Sequence, residues 1–376
     1  MRIRVEASAD NRWADLAMTS AEFNAGSGQQ FLLLGGHQDS WFGPQATDNA
    51  AGTACVIELA RAFAAHRGEL RRGVLCGLWM GHETGTMISS SRFADVEWDR
   101  LHERSVGYLQ IDQPAMANTT DWHLSSTDDA RDFIEQITRD VAPGMPIHWG
   151  RSRRTGDSSF FGVGLTNLAG ITSFTDEEIR RTALASLGWW HHSIHNTMDK
   201  LDKGRLELHL RLYGRWVWQL LTAPVLPYRY GPLTQSLAGS LSRLTGANIP
   251  DIDMKRVVER ARDLHHLASR LDARADAARA EGDAVDEGEA DEINRAMIAQ
   301  ARFLIPLIST VTGTYSQDRY GHAWQSGEVP ALTPLAMLAE MDPDSEQYQT
   351  HWVAAIRARN RIADTLNLAT AALANA

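Results

Sequence analysis

The sequence predicts an α/β protein whose mainly parallel sheet is flanked by helices and followed by a C-terminal helical domain. Two observations predict this fold. Short, continuous apolar runs alternate with helical patterns over about the first 230 residues, as is typical of strands that helices cover on both faces. Beyond about residue 232 the runs give way to longer segments with apolar residues at spacings of three and four, which is typical of amphipathic helices.

Four apolar runs are predicted to form the buried strands of the sheet. They lie at residues 31–34, 74–80, 106–111 and 168–174. Each run is followed by glycine or a polar residue, as expected where a buried strand ends. Residues 51–63 have the spacing of an amphipathic helix, so strand, helix and strand follow one another as in a parallel sheet. The alternating pattern of residues 1–11 predicts a further strand and not a secretory signal.

We expect residues 1–230 to form the sheet-containing domain and residues 231–376 to form the helical domain. Helical patterns in the second part lie at residues 257–271, 293–308 and 348–376. The acidic segment at residues 281–292 is predicted to be a solvated loop. Core packing is the simplest explanation of the apolar stripes on these helices.

Charge and cysteine content exclude several classes of protein. The chain carries 37 Lys and Arg residues against 47 Asp and Glu, a net charge of −10, which disfavours nucleic-acid binding because phosphate contacts need a basic surface. No apolar run approaches the roughly 18 residues of a membrane span. The two cysteines, Cys55 and Cys76, lie in apolar patterns. Their number excludes a disulfide framework and a cysteine zinc site, and favours a reducing, cytoplasmic location.

Acidic and histidine residues follow the predicted strands. His37 follows the first strand, Glu83 the second and Asp112 the third. Asp48 stands just before the predicted first helix, and His192 lies in a loop. Because the carboxyl ends of parallel strands meet at one edge of a sheet, we expect the strand-end side chains to lie together there.

Five such side chains suit a pair of divalent cations. Two ions that share one carboxylate need two further ligands each, and zinc accepts imidazole nitrogen and carboxylate oxygen. Three carboxylates against two Zn²⁺ leave a formal charge of about +1, which favours a deprotonated water near neutral pH. The set therefore predicts two zinc ions per chain, with Mn²⁺ or Co²⁺ as substitutes. Asp39 is too near His37 to be a second ligand, and its expected catalytic role is to accept the other imidazole N–H.

The sequence does not match three other catalytic or ligand-binding motifs. His82 and Glu83 begin a His-Glu-x-x-His pattern, but Thr86 occupies the position of the second histidine. The chain has no Gly-x-Ser-x-Gly nucleophile elbow and no phosphate-binding Gly-x-x-x-x-Gly-Lys.

Five motifs occur in a fixed order between residues 29 and 202. They are Gly-His-Gln-Asp-Ser at 36–40, Thr-Asp-Asn-Ala-Ala-Gly at 47–52, Trp-x-x-His-Glu-x-Gly at 79–85, Ile-Asp at 111–112 and His-Ser-x-x-Asn-Thr at 192–197. In this order they resemble the motif series of the M28 zinc peptidases, in particular the glutamate carboxypeptidase and transferrin receptor branch. The last motif favours His192 as the ligand over its neighbours His191 and His195.

The resemblance implies a zinc exopeptidase-like fold and a role for each residue of the predicted site. His37 and Asp112 would hold one zinc ion, Glu83 and His192 the other, and Asp48 would bridge the two. A zinc-bridged hydroxide would then cleave an amide or peptide C–N bond in a small aminoacyl or N-acyl amino acid substrate.

Two further regions resemble parts of that family. Gly-Asp-Ser-Ser-Phe-Phe at 156–161 is similar to the stretch that lines the family's substrate pocket. Asp157, Ser158 and Phe160 are therefore predicted to contact a small-molecule or short-peptide substrate. The C-terminal helical region resembles the dimerisation domain of the branch, which implies a homodimer.

Two positions depart from the family's pattern. His82 stands where the family has the glutamate that acts as general base. A neutral imidazole can also move a proton, so we expect His82 to be the proton shuttle; a sixth metal ligand and lost peptide cleavage are the alternatives. Asn196 stands where an acidic residue is usual, and we expect it to position the ligand loop less firmly.

Two other functions fit the same residues in part. A hydrolytic deaminase, or another C–N hydrolase, could use the same metal site. A non-catalytic binding or scaffold protein, as the transferrin receptor is within this resemblance, could retain the fold alone. Five ligand-type residues in order favour the enzyme. A metal assay separates the two classes, because a scaffold has no need of two ions per chain.

Overall fold

Seven strands form one mostly parallel sheet in the computed structural model, which describes residues 3–10, 12–26, 28–245, 252–319 and 329–374. The strands are β1 (Thr19–Phe23), β2 (Phe31–His37), β3 (Gly73–Trp79), β4 (Ser105–Gln110), β5 (Asp121–Ser126), β6 (Ile147–Arg151) and β7 (Asn167–Ser173). Their order across the sheet is β1-β3-β2-β4-β7-β5-β6. β1 pairs antiparallel with β3, and β5 antiparallel with β7. The other neighbours are parallel, so the predicted fold class is confirmed.

Helices cover the sheet and then form the C-terminal region. The helices that alternate with the strands are α1 (Ala51–Ala65), α2 (Ile88–Val96), α3 (Trp98–Arg104), α4 (Arg131–Val141), α5 (Asp176–Arg181) and α6 (Lys203–Thr222). The C-terminal helices are α7 (Gly231–Thr245), α8 (Lys255–Glu281), α9 (Glu287–Ser309), α10 (Thr333–Ala339) and α11 (Tyr348–Ala374). The predicted C-terminal helical region is thus present.

The four predicted strands coincide with β2, β3, β4 and β7, and the predicted first helix coincides with α1. Every residue of β2 and β3 is buried, which explains their continuous apolar sequences. β5 alternates between buried and more exposed residues and contains two serines, so it carries no such run. The strand predicted at residues 1–11 is wrong for the part that the structure describes. Residues 3–10 form no regular element, and their apolar side chains Ile3 and Val5 lie exposed instead of packing in the core.

The acidic segment at residues 281–292 is mostly helical, contrary to the predicted loop. α8 continues to Glu281, and α9 already begins at Glu287, where the Asp286 side chain accepts a hydrogen bond from the Glu289 N–H. The acidic side chains are stabilised on the helix because Arg274 of α8 pairs with Glu289 at 3.2 Å and Glu292 at 2.7 Å. The segment is therefore solvated, as predicted, but helical, with ion pairs to the preceding helix.

The two faces of the sheet pack against separate apolar clusters. Phe31 and Leu33 of β2 lie in the smaller cluster, together with Trp79 and Tyr108. Leu32 and Leu34 point the opposite way into a larger cluster, which includes residues of α1 and α6 and continues through α8, α9 and α11. The sheet-containing part and the C-terminal helices therefore share one core. The domain boundary at residue 230 stays a prediction.

Both cysteines are free and buried, as a small apolar side chain would be. Among the helices in the described ranges, none is both long and apolar enough to cross a membrane.

Candidate metal centre

The five predicted ligands converge at the carboxyl edge of the sheet. His37 is the last residue of β2, and its Nε2 lies 3.1 Å from Asp48 Oδ1 and 3.2 Å from Asp112 Oδ1. His192 Nε2 lies 3.2 Å from Asp48 Oδ2 and 3.0 Å from Glu83 Oε2. The central strands β3, β2 and β4 are adjacent in the sheet, so their ends bring these groups together.

Buried carboxylate oxygens in this cluster lack hydrogen-bond donors. Asp48 is only 1% exposed, yet neither of its oxygens takes part in a hydrogen bond within the described part of the chain. Asp39 Oδ1 and Glu83 Oε1 are also buried without a donor there. A buried carboxylate without a donor is costly unless a cation compensates its charge. Histidine nitrogens and carboxylate oxygens close enough to share an ion surround these atoms, so the residues fit divalent metal ions.

Asp39 orients both His37 and the segment that carries Glu83. His37 Nδ1 lies 3.0 Å from the Asp39 carbonyl oxygen and 3.4 Å from its Oδ1. Because the Asp39 carbonyl is an acceptor, Nδ1 carries a proton, and a cation bound between Nε2 and the carboxylates would take the Nε2 lone pair. Asp39 Oδ2 also accepts hydrogen bonds from the backbone N–H groups of Gly81 and Glu83, each at 3.1 Å. Asp39 thus ties the end of β2 to the loop after β3.

Asn49 fixes the turn that presents Asp48. Its Nδ2 donates to the Ile111 carbonyl at 3.1 Å, and its Oδ1 accepts from the Gly52 N–H at 3.1 Å and the Gln113 N–H at 3.2 Å. A Cβ at residue 52 would lie 2.0 Å from Asn49 Oδ1, so this position needs glycine. Sequence reasoning missed this role, although Asn49 stands within the motif at residues 47–52.

Asn196 links the ligand loop to the same turn. Its Oδ1 accepts hydrogen bonds from the Thr47 N–H at 3.1 Å and the Thr47 hydroxyl at 3.0 Å, and its Nδ2 donates to Gln45 Oε1 at 3.0 Å. All three residues are buried. We expected Asn196 to position the ligand loop less firmly, but these contacts hold the loop to the turn that carries Asp48.

Several residues around the cluster adopt left-handed backbone conformations without being glycine. Gln45, Met87, Gln113 and His192 have φ values of 45°, 48°, 48° and 54°. Such conformations cost of the order of 1–3 kcal/mol each and persist only where neighbouring contacts hold them. Left-handed residues next to the five predicted ligands indicate that the site keeps its geometry even though these backbone conformations destabilise the folded protein.

His82 lies against the cluster with its ring held by neighbours. Its ring stacks on His37 with centroids 3.7 Å apart and planes at 11°. Its Nδ1 lies 2.9 Å from Asp157 Oδ2, and its Nε2 lies 3.7 Å from Asp112 Oδ2. The proton shuttle predicted from sequence is therefore next to the ligand set.

The three residues predicted to contact substrate are all buried. Asp157 is buried and faces His82. Ser158 is buried and donates to Gln110 Oε1 at 2.7 Å. Phe160 packs against Trp79 and Tyr108 in the smaller apolar cluster. All three side chains therefore contact other protein groups, and their contact with substrate stays a prediction.

His191 joins the cluster, whereas His195 does not. His191 Nδ1 lies 3.1 Å from Asp48 Oδ2 and 2.9 Å from Gln113 Nε2. Its ring stacks on that of His192, with centroids 3.7 Å apart. His195 instead packs against Trp189, with ring centroids 5.6 Å apart. Sequence reasoning treated His191 only as a rival of His192, although adjacent histidines allow both to reach one carboxylate.

Two exposed aromatic residues, Trp41 and Phe42, form a shelf beside the cluster. Trp41 stacks on His192, with ring centroids 5.1 Å apart and planes at 16°. Phe42 is 80% exposed. Gln45 holds this shelf in place, because its Nε2 donates to the carbonyls of Phe42 and Ser193, each at 2.9 Å. The shelf is therefore an exposed apolar surface with a fixed backbone.

Comparison with known proteins identifies the family. Residues 19–213 match the model of peptidase family M28. The chain belongs to this family. The match runs from β1 into the middle of α6 and therefore covers all residues of the cluster.

Individual M28 relatives are distant and much longer. The chain is similar to a probable glutamate carboxypeptidase, VP8, of Zea mays, with 24% identity over 237 residues that make up 57% of this chain and 32% of the relative. It is also similar to aminopeptidase NAALADL1 of Mus musculus, with 29% identity over 120 residues, 31% of this chain and 16% of the relative. The chain thus spans a third or less of these relatives. Among solved structures, it resembles an aminopeptidase from Aneurinibacillus sp. strain AM-1, with 20% identity, a TM-score of 0.46, and coverage of 54% and 48% of the two chains.

Burial and the crowding of charged groups shift the ionisation of several residues in this M28 chain's cluster. Despite burial, the Asp112 carboxylate raises the pKa of His37 well above its ordinary value. Burial, reinforced by the charge of Asp48, raises the pKa of Glu83 to about 7. Despite burial, the imidazoles of His191 and His37 hold the pKa of Asp48 well below its ordinary value. Burial lowers the pKa of His192, with a further contribution from His191. A divalent cation at the centre would favour ionised carboxylates and neutral imidazoles throughout.

Proposed function

We propose that this chain is a metal-dependent hydrolase that cleaves an amide or peptide C–N bond in a small aminoacyl or N-acyl amino acid substrate. The observation that carries the proposal is the group of buried carboxylate oxygens without donors that faces two imidazoles at the carboxyl edge of the sheet. Membership of a peptidase family supports it.

We assign two zinc ions to this centre, for which Mn²⁺ or Co²⁺ could substitute. His37 and Asp112 would hold one ion, and Glu83 and His192 the other. The contacts of Asp48 favour a bridging role, because its Oδ1 faces His37 and its Oδ2 faces His192. When bound, such ions supply Lewis acidity, which lowers the pKa of water and polarises a carbonyl group.

The residues of the chain would move the proton and orient the substrate. His82 accepts a proton from water and passes it to the leaving amine, while Asp39 holds His37 in the tautomer that leaves Nε2 free. The aromatic shelf of Trp41 and Phe42 offers apolar surface beside His192. Substrates with an apolar side chain are therefore expected to bind better than those with an acidic one.

Metal analysis combined with activity assays tests this proposal. The wild-type protein should bind two ions per chain and hydrolyse members of a panel of aminoacyl amides and N-acyl amino acids. Asp48→Ala should lose both ions and the activity, whereas Asp121→Asn, three strands away from β2 in the sheet, should change neither. Full metal occupancy in Asp48→Ala would contradict the bridging assignment. A metal-loaded wild-type protein that hydrolyses no member of the panel would overturn the proposed function.

A further inference from the structure

The His82 ring is held on three sides by groups from different parts of the chain. Asp157 Oδ2 accepts a hydrogen bond from Nδ1 at 2.9 Å, and the His37 ring stacks on one face. Gly156 passes close to the ring, since a Cβ there would lie 3.1 Å from His82 Cε1 and 2.6 Å from Gln110 Nε2. Gly156 has a φ of +51°, so a side chain is disfavoured there by backbone conformation as well as by space. The imidazole therefore has one defined orientation.

Asp157 is itself held from the opposite side. Its Oδ1 accepts a hydrogen bond from the Ser90 hydroxyl at 2.7 Å, and Ser90 Oγ lies 2.8 Å from Ser159 Oγ. Asp157, Ser90 and Ser159 are all buried. Each carboxylate oxygen thus accepts a hydrogen bond from a protein donor, and the side chain is buried away from solvent. The contact joins α2, which carries Ser90, to the loop after β6.

We propose that Asp157 is a positioning residue that holds His82 as the Nδ1–H tautomer, with Nε2 as the atom that accepts the proton. An ionised carboxylate only accepts hydrogen bonds, so Nδ1 must donate. Nε2 then has a lone pair and faces the metal ligands, 3.7 Å from Asp112 Oδ2, which is too far for a hydrogen bond.

A histidine at this position needs such a partner, whereas a carboxylate does not. An imidazole has two tautomers and presents a lone pair in only one direction, while a carboxylate offers lone pairs on two equivalent oxygens. The pairing of base and orienting carboxylate is the general arrangement of histidine bases in enzymes. Asp157, held in turn by Ser90, therefore supplies the orientation that an imidazole base requires.

The proton transfer balances within the proposed hydrolysis, on which this inference rests. Nε2 takes one proton from water as the oxygen forms a bond with the carbonyl carbon. The same proton then passes to the amine nitrogen as the C–N bond breaks, so His82 ends in its starting state and no further reactant is needed.

The role of Asp157 is tested by introducing Asp157→Asn into the wild-type protein and into the His82→Glu variant. In the wild type, Asp157→Asn should lower kcat by about 10²- to 10⁴-fold, with KM and metal content unchanged. In the His82→Glu background, where a carboxylate is again the base, Asp157→Asn should cost less than about 10-fold. Ser90→Ala, which keeps the carboxylate but frees Oδ1, should lower kcat by about 10-fold in the wild type. Asp121→Asn is the matched control, because Asp121 also contacts a histidine, His148, at 3.1 Å on the surface.

A nitrogen NMR measurement of the histidine tautomer in the zinc-loaded protein provides a readout without turnover. His82 should be the Nδ1–H tautomer in the wild type and lose this preference in Asp157→Asn. An unchanged tautomer, an equal loss of kcat in both backgrounds, or loss of a metal ion in Asp157→Asn would each overturn the proposal. If the wild type hydrolyses no substrate, the proposed function fails, and the tautomer alone decides whether Asp157 positions His82.

Discussion

Asp129 is a buried carboxyl group away from the metal centre, and its surroundings favour the neutral form. Its Oδ2 accepts a hydrogen bond from the Thr166 hydroxyl at 2.5 Å, and the Tyr230 hydroxyl lies 3.4 Å from the same oxygen. Within the described residues its Oδ1 has no hydrogen-bond partner. Burial, only partly offset by the side chains of Thr127 and Thr166, raises the pKa of Asp129 to about 6. The group therefore titrates at higher pH in the folded protein than in the unfolded chain.

This difference in pKa predicts the sign of a pH effect on stability. Between pH 4 and 6 the folded state binds more protons at Asp129 than the unfolded state, so its contribution is fully present near pH 4 and is lost as the pH rises through 6. A shift of about two pKa units corresponds to about 3 kcal/mol. Compared with Asp129→Asn, the wild type should therefore lose up to about 3 kcal/mol of unfolding free energy between pH 4 and 7.

Urea denaturation of both proteins at several pH values, with chelator present, measures this difference. The buried His209 titrates in the opposite sense, because burial lowers its pKa to about 4, but it is common to both proteins and cancels. A difference in stability that does not change with pH would show that Asp129 is ionised in the folded protein.

At the scale of elements, the metal centre depends on two segments that hydrogen bonds hold together. The turn before α1 carries Asp48, and the loop between α5 and α6 carries His192. The Asn196 side chain bonds to Thr47 and Gln45, and its carbonyl accepts from the Ala46 N–H at 2.8 Å. The two segments should therefore respond as a unit when this link is broken.

Asn196→Ala is expected to weaken both stability and metal binding. It would leave the Thr47 N–H and Gln45 Oε1 buried without partners, at about 1–3 kcal/mol for each group. Because the link lies between Asp48 and His192, the affinity for zinc should also fall, by about 10- to 100-fold. Thermal unfolding and chelator competition measure the two effects. Asn360→Ala, at an exposed position of α11, is the control, and an unchanged zinc affinity in Asn196→Ala would refute the link.

The elements that could be predicted from sequence are those whose patterns are local. β2 and β3 are buried on both faces and are therefore apolar except for His37 at the end of β2, and α1 has one apolar face. The meeting of His37, Glu83 and Asp112 could be predicted because the ends of parallel strands share one edge of the sheet, whereas the choice of His192 rested on the family resemblance. The partners of Asn49, Asn196 and His82 could not be predicted, because they lie 62 to 151 residues away along the chain and depend on the packing of separate loops.

At the scale of the whole molecule, a buried arginine joins the C-terminal helices to the sheet-containing part. Arg302 of α9 donates to the carbonyls of His102 at 2.6 Å, Gly164 at 2.7 Å, Leu101 at 3.3 Å and Ser105 at 2.5 Å. Burial lowers the pKa of Arg302 to about 10, so it remains charged at neutral pH. Together with the larger apolar cluster, this contact indicates that the two parts of the chain fold as one unit. The homodimer stays a prediction.

Arg302→Met tests whether the two parts of the chain unfold together. Methionine fills the space of the arginine but donates no hydrogen bonds. Several buried carbonyls would lose their donor, and the free energy of unfolding should fall by at least about 3 kcal/mol. Tryptophan fluorescence, which includes Trp79 and Trp122 near the sheet, and far-UV circular dichroism should still report one coincident transition. Arg262→Met, at an exposed position of α8, should shift neither. If the helical signal of Arg302→Met is lost before the fluorescence change, the two parts unfold independently, and the boundary at residue 230 separates true domains.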